Sequence, residues 1–192
     1  MLWYIELSTT FPYSIYMAMI QFAILGTLGD CIGKWMQSKR VYWPFGVMES
    51  IWKPIEWAIL AVLIKYAFLG MYGFLDTLIT NDYLPKIFSA NFCWKTGVYS
   101  NGFPRAIAWS IIMNMQFGPL LVLLHRILDY APLGKKIVWD NIGKGLFMLV
   151  WWWIPAHTIT ALLPQAFQVG MAAFWSIVLG FLLGLINPVK KV

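Results

Sequence analysis

Charge is scarce in this chain of 192 residues: 11% are Asp, Glu, Lys or Arg. A soluble domain of that length needs roughly 25% to cover its surface. Histidine and cysteine are scarcer, with two of each. Two histidines are too few for a His-rich metal centre, although His125 and Asp129 have the i, i+4 spacing of one helix face. Cys31 and Cys93 make neither a zinc nor a redox motif, and as they fall on opposite sides of the expected membrane no disulfide joins them. No Gly-x-Ser-x-Gly elbow, His-Glu-x-x-His pair or phosphate loop occurs. The expectation is therefore no enzyme, no cofactor and no metal. A basic segment ahead of the first apolar run is missing too, as is an Arg- and Ser-rich presequence, so the first apolar run is expected to stay in the mature protein.

What fills the chain instead is apolar: 60% of residues, with 12 Trp among them. About 20 consecutive apolar residues cross the ~30 Å hydrocarbon core as a helix. Five stretches qualify, approximately residues 12–35, 54–75, 104–124, 143–163 and 165–187. Alternating segments of ~10 residues, the mark of barrel strands, do not occur. Backbone in lipid must bond within its own segment, so the expected fold is all-α, a polytopic transmembrane helical bundle forming one integral membrane domain. The last two runs nearly touch. As one helix they would be ~67 Å long at 1.5 Å per residue, about twice the membrane core. A break at Pro164 gives five spans, and a break at Pro155 would give four.

The basic residues favour five. With an external N-terminus, the inside holds Lys34, Lys39, Arg40, Lys53, Arg126, Lys135, Lys136, Lys144, Lys190 and Lys191, against Lys86, Lys95 and Arg105 outside. That is the positive-inside bias. Positive charge beside spans fixes topology and meets anionic lipid headgroups, so the net charge of +6 points to membrane lipids and not to nucleic acid. The Trp and Tyr clusters (Trp3-Tyr4, Tyr42-Trp43, Trp52, Trp57, Trp151 to Trp153) fit interfacial belts. Small residues four apart, at Gly29/Gly33, Ala166/Gly170 and Gly180/Gly184, allow close helix crossings, within one chain or in a homo-oligomer.

Polar groups inside spans are expensive and invite a functional reading. Asp30, Lys65, Asn114, Gln116 and His157 are the candidates to line a water-filled path, and interhelical hydrogen bonding is the competing role. Glu56, His125, Arg126 and Asp129 stand near span ends and read first as anchors. Glu56 and Lys65 are nine residues apart, on opposite faces of their helix. Gly118, Pro119, Pro155 and Pro164 are expected to shape helices.

In order along the chain, Leu2-Trp3-Tyr4, Pro12, Gly26 and Gly29-Asp30, then Gly118-Pro119 followed by Leu128-Asp129, then Pro132, Lys135-Lys136 and Asp140-Asn141, and finally Trp151 through Pro155, Pro164, Trp175 and Leu179 resemble a known family. It is that of the peroxisomal twenty-two-kilodalton membrane protein and the mitochondrial inner-membrane protein Mpv-seventeen. The resemblance covers about two-thirds of the chain and is specific around Gly118 to Asn141. Thr158 and Ala161 stand where the family has Gln and Asn, Gln168 replaces a basic residue, and Pro54–Leu75 is an extra span while one is missing after Asp140. These departures imply a divergent branch. Family members are small four-span proteins linked to channel-like passage of small solutes. The resemblance thus implies a channel-like path of low selectivity. With no targeting segment read in the sequence, a bacterial cytoplasmic membrane is the expected setting, or a mitochondrial inner or peroxisomal one if the chain is eukaryotic. A non-conducting structural or assembly factor is the alternative, and an intramembrane enzyme a third class.

Overall fold

A computed structural model describes residues 1–89, 91–93, 98–100, 102–139 and 142–186 of the chain, without the side chains of 91–93 and 98–100. The helices are α1 (Leu2–Thr9), α2 (Tyr13–Ser38), α3 (Val47–Thr80), α4 (Phe103–Tyr130), α5 (Ile142–Met148), α6 (Ile154–Leu162) and α7 (Gln165–Ile186), with a π-helical turn at Leu149–Trp153 joining α5 to α6. A two-stranded antiparallel hairpin, β1 (Asn91–Cys93) and β2 (Val98–Ser100), sits in the connection between α3 and α4. Cys93 falls in that hairpin, so the expectation that it stays unpaired lies outside the described side chains; Cys31 is buried and free.

Five helices among the described residues are long and apolar enough to cross a membrane, with α5, the π turn and α6 counting as one. The break that makes five is at Pro164, where Leu163 leaves the helix in an extended conformation. Pro155 does not end the span. Trp153 and Ile154 before it keep right-handed helical backbone, so the helix runs through the proline, and the π turn of Leu149–Trp153 stands where its ring and missing N–H interrupt the regular ladder.

The end of α2 and both ends of α3 and α4 run past the sequence estimates. α3 begins at Val47, so Pro54 lies inside it and does not open it. Glu49 accepts a hydrogen bond from the Gly46 N–H at 3.2 Å, which caps the first turn. At 34 residues and 1.5 Å each, α3 is about 51 Å long, longer than a ~30 Å core requires. α2 closes with Lys39 in the left-handed region, φ 56°, a common helix stop.

The five spans close a ring in chain order: α2 packs on α3, α3 on α4, α4 on α6, α6 on α7, and α7 returns to α2. The return is made by the small residues. A methyl group on Gly29 would lie 2.7 Å from the Ser176 carbonyl oxygen, and one on Gly33 would lie 3.2 Å from that of Gly180. Gly184 meets Met36 and Gly33, and Gly170 meets Tyr4 and Gln21. The faces expected to serve either one chain or a homo-oligomer are therefore consumed within the chain. α1 lies across this pair, with Tyr4 stacked on Phe167 at 5.3 Å and its hydroxyl accepting from Gln21 at 3.0 Å.

The belt reading of the tryptophans divides. Trp3, Trp43 and Trp151 are exposed on the outer surface, as an interfacial belt requires. Trp52 and Trp57 turn inward and donate to the Leu128 carbonyl at 2.8 Å and to Asp30 at 3.0 Å.

A candidate solute cavity inside the helix ring

The ring holds a partly open cavity of about 540 Å³, lined by residues of all five spans. Along α4 its wall runs from Met113 to Asp129, about 24 Å at 1.5 Å per residue. In an up-and-down bundle the C-terminal end of α4 shares its level with the end of α2 and the starts of α3 and α5. One end of the cavity therefore carries charge, in Asp30, His125, Arg126, Asp129 and Lys144. The middle is apolar, walled by Phe22, Leu60, Ile64, Phe117 and Leu149. Its deep end is polar again, at Asn114 and His157.

The charged end rests on a buried cluster. Lys53 is ion-paired with Asp129, and its ammonium lies 3.1 Å from Glu56 and 3.4 Å from Asp30. His125 Nε2 stands 3.2 Å from the other Glu56 oxygen. Glu56 is fully buried and lies between the Lys53 ammonium and the His125 imidazole without a well-aligned hydrogen bond. Trp57 ties the cluster together, donating to Asp30 while its ring packs on His125 at 4.7 Å. Three carboxylates thus surround one ammonium. Ligand atoms of Glu56, His125 and Asp129 lie within 4.8 Å of one another, close enough to bind a metal by composition. The Lys53 ammonium already occupies the cation's place beside Glu56 and Asp129, so the set is built as an ion-pair network.

At the deep end, Asn114 reaches His157 Nδ1 at 3.1 Å and the Ser110 carbonyl at 2.8 Å. Behind them an aromatic layer closes the bundle. Phe68 meets the faces of Trp109 and His157 edge-on, at 4.9 and 5.5 Å, and Tyr72 stacks on Trp109 at 4.8 Å. Gln168 of α7 fastens the layer, donating to the Tyr72 hydroxyl at 3.1 Å and the Leu163 carbonyl at 3.0 Å. On the far side of the layer Arg105 lies over Tyr72 and is paired with Asp76 at 2.7 Å. Trp109 is fully buried, yet its indole N–H finds no acceptor among the described residues. A buried donor left unpaired costs roughly 1–3 kcal/mol, so this indole weakens the layer by about that much.

Of the five lining candidates, three line the cavity: Asp30 at its charged end, Asn114 and His157 at its floor. Two do not. Gln116 is exposed on the outer face of α4, because two residues turn a helix by about 200° and Asn114 takes the inward side. Lys65 is buried against α1 and donates to the Ser8 carbonyl at 3.2 Å; α1 covers the face opposite Glu56. Gly118 also lines the cavity, where a methyl group would lie 2.8 Å from Leu149 of the π turn. Pro119 follows within α4. Lys53, Glu56, His125 and Asp129 were legible only as topological charges and span-end anchors. The one sequence signal that joins any of them beyond His125/Asp129 is the i, i+3 pair Lys53/Glu56, which puts opposite charges on one face of α3.

Comparison of the chain with protein-family models, with curated proteins and with solved structures found no match.

Proposed function

We propose that this protein forms a gated, channel-like path of low selectivity for small solutes, in which the cavity is the conducting part and the aromatic layer is the gate. The observation that carries the reading is the cavity itself: a bundle whose polar residues were only helix glue would need no space of about 540 Å³ along its axis. Polar groups at both its ends offer a dehydrating solute replacement hydrogen bonds, and the thin layer of Phe68, Tyr72 and Trp109 separates the floor from the opposite surface. Hydrophobic constrictions gate by excluding water. The resemblance of Gly118 to Asn141 to the Mpv-seventeen family supports the same reading and makes this chain a divergent member. By the bias of its basic residues the charged end faces the cytoplasm, and a bacterial cytoplasmic membrane is the proposed setting. The path needs one chain, since the small-residue faces are filled within it.

Efflux of sized neutral and charged probes from liposomes holding the purified protein tests this. Small probes leave and large ones stay; empty liposomes retain both. His157→Leu and Asn114→Leu, which remove the floor's polar groups, lower the efflux of polar probes while the fold persists. Tight vesicles around well-folded protein, or variants that lose stability with efflux unchanged, move the function to a non-conducting assembly role.

A further inference from the structure

The cavity floor has a fixed hydrogen-bond polarity. The Asn114 side-chain nitrogen lies 2.8 Å from the Ser110 carbonyl oxygen. A carbonyl only accepts, so the amide must turn its nitrogen that way. Ser110 Oγ, 3.3 Å from the same nitrogen, gives its own proton to the Ile154 carbonyl at 2.8 Å and can accept. These two oxygens share one N–H. The other N–H faces His157 Nδ1 at 3.1 Å, so Nδ1 accepts. A neutral imidazole whose Nδ1 accepts carries its proton on Nε2. That Nε2–H has no acceptor among the described residues, and it is not among the atoms sealed inside the protein. His157 is a buried residue that lines the cavity, so the free donor opens into it.

Beside this donor the cavity is apolar and aromatic. Trp153 lies 4.9 Å from the imidazole, Phe117 lines the space one turn along α4 from Asn114, and Phe22 lines it further toward the charged end. A volume of about 540 Å³ is within the ~300–1,000 Å³ usual for small-molecule sites. We propose that the cavity is a binding site for a lipid-soluble ring compound with a carbonyl oxygen, which accepts the hydrogen bond from His157 Nε2–H while its flat body lies against the aromatic walls. Asn114 is a positioning residue, holding the imidazole in the donating tautomer. The site concerns what the cavity holds and does not depend on passage through the aromatic layer.

Duroquinone and durene are a matched pair of probes, the same methylated ring with and without carbonyl oxygens. In lipid nanodiscs, after subtraction of empty discs, duroquinone binds saturably and about five- to tenfold more tightly than durene, the worth of one hydrogen bond. His157→Phe abolishes the difference and keeps the ring volume. Nitrogen NMR of histidine-labelled wild-type protein, with only His125 and His157 to assign, shows His157 protonated on Nε2 and shifts that resonance with duroquinone but not with durene. Equal affinity for the two probes, or a His157 protonated on Nδ1, overturns the proposal even if every variant fails to fold. Binding with tight vesicles keeps this site and removes the conduit; efflux without binding does the reverse.

Discussion

Lys53→Met unfolds the protein at temperatures the wild type survives, with a loss of about 3–5 kcal/mol, the usual cost of removing one partner from a buried ion pair. The geometry makes the effect large. Asp30, Glu56 and Asp129 converge on one ammonium, and Glu56 has no exposure at all. Methionine keeps the packing volume but removes the one ammonium on which the three carboxylates converge. Neutralising two of them restores much of the loss, because burying uncharged groups avoids the desolvation that the ion pairs offset. Thermal unfolding in detergent of Lys53→Met, and of Lys53→Met combined with Glu56→Gln and Asp129→Asn, checks both halves. A single variant within 0.5 kcal/mol of wild type (roughly the range of ordinary surface substitutions) contradicts the cluster.

Gly180→Val is the second large effect. A Cβ there collides with the backbone of Gly29, and backbone cannot swing aside as a side chain can. α2 and α7 must separate along the crossing that closes the ring. Over-packing costs about 1–3 kcal/mol and sometimes more, and a backbone clash belongs at the upper end. The control is on α3, where a Cβ on Gly70 meets nothing within 4 Å: Gly70→Ala gains up to about 1 kcal/mol from helix propensity. Melting temperatures of the two variants, measured in one detergent, should move in opposite directions. A Gly180→Val protein that melts with wild type would mean that α2 and α7 do not cross as described.

The spans were legible because each is a long apolar run, and Pro164 was legible as a break because one helix of that length exceeds the membrane. Helix ends were less so. The first turns of α3 mix Glu49, Ser50 and Lys53 with apolar residues, and a reading keyed to unbroken apolar runs starts at Pro54 and misses them. Small-residue spacing located the close crossing, but a glycine pair does not name its partner; only the packing of α7 on α2 does. Asn114 and Gln116 show the limit at single residues. Helical periodicity says that they face different ways, and not which faces the cavity. The charge cluster was hidden for another reason. Its members come from three helices, each near a span end, where orientation in the membrane already accounts for a charge. Nothing in the chain brings Lys53 to Asp30 and Asp129 except the ring.

The aromatic layer is the decisive element, since a cavity that never opens conducts nothing. Efflux of a small neutral probe from liposomes is compared for wild type, Phe68→Leu and Trp109→Leu, variants that thin the layer and keep it apolar, with folding verified by circular dichroism. A gated path predicts measurable efflux from wild type and faster efflux from at least one thinned variant, with the same upper size limit. Liposomes that stay sealed with all three folded proteins would contradict it.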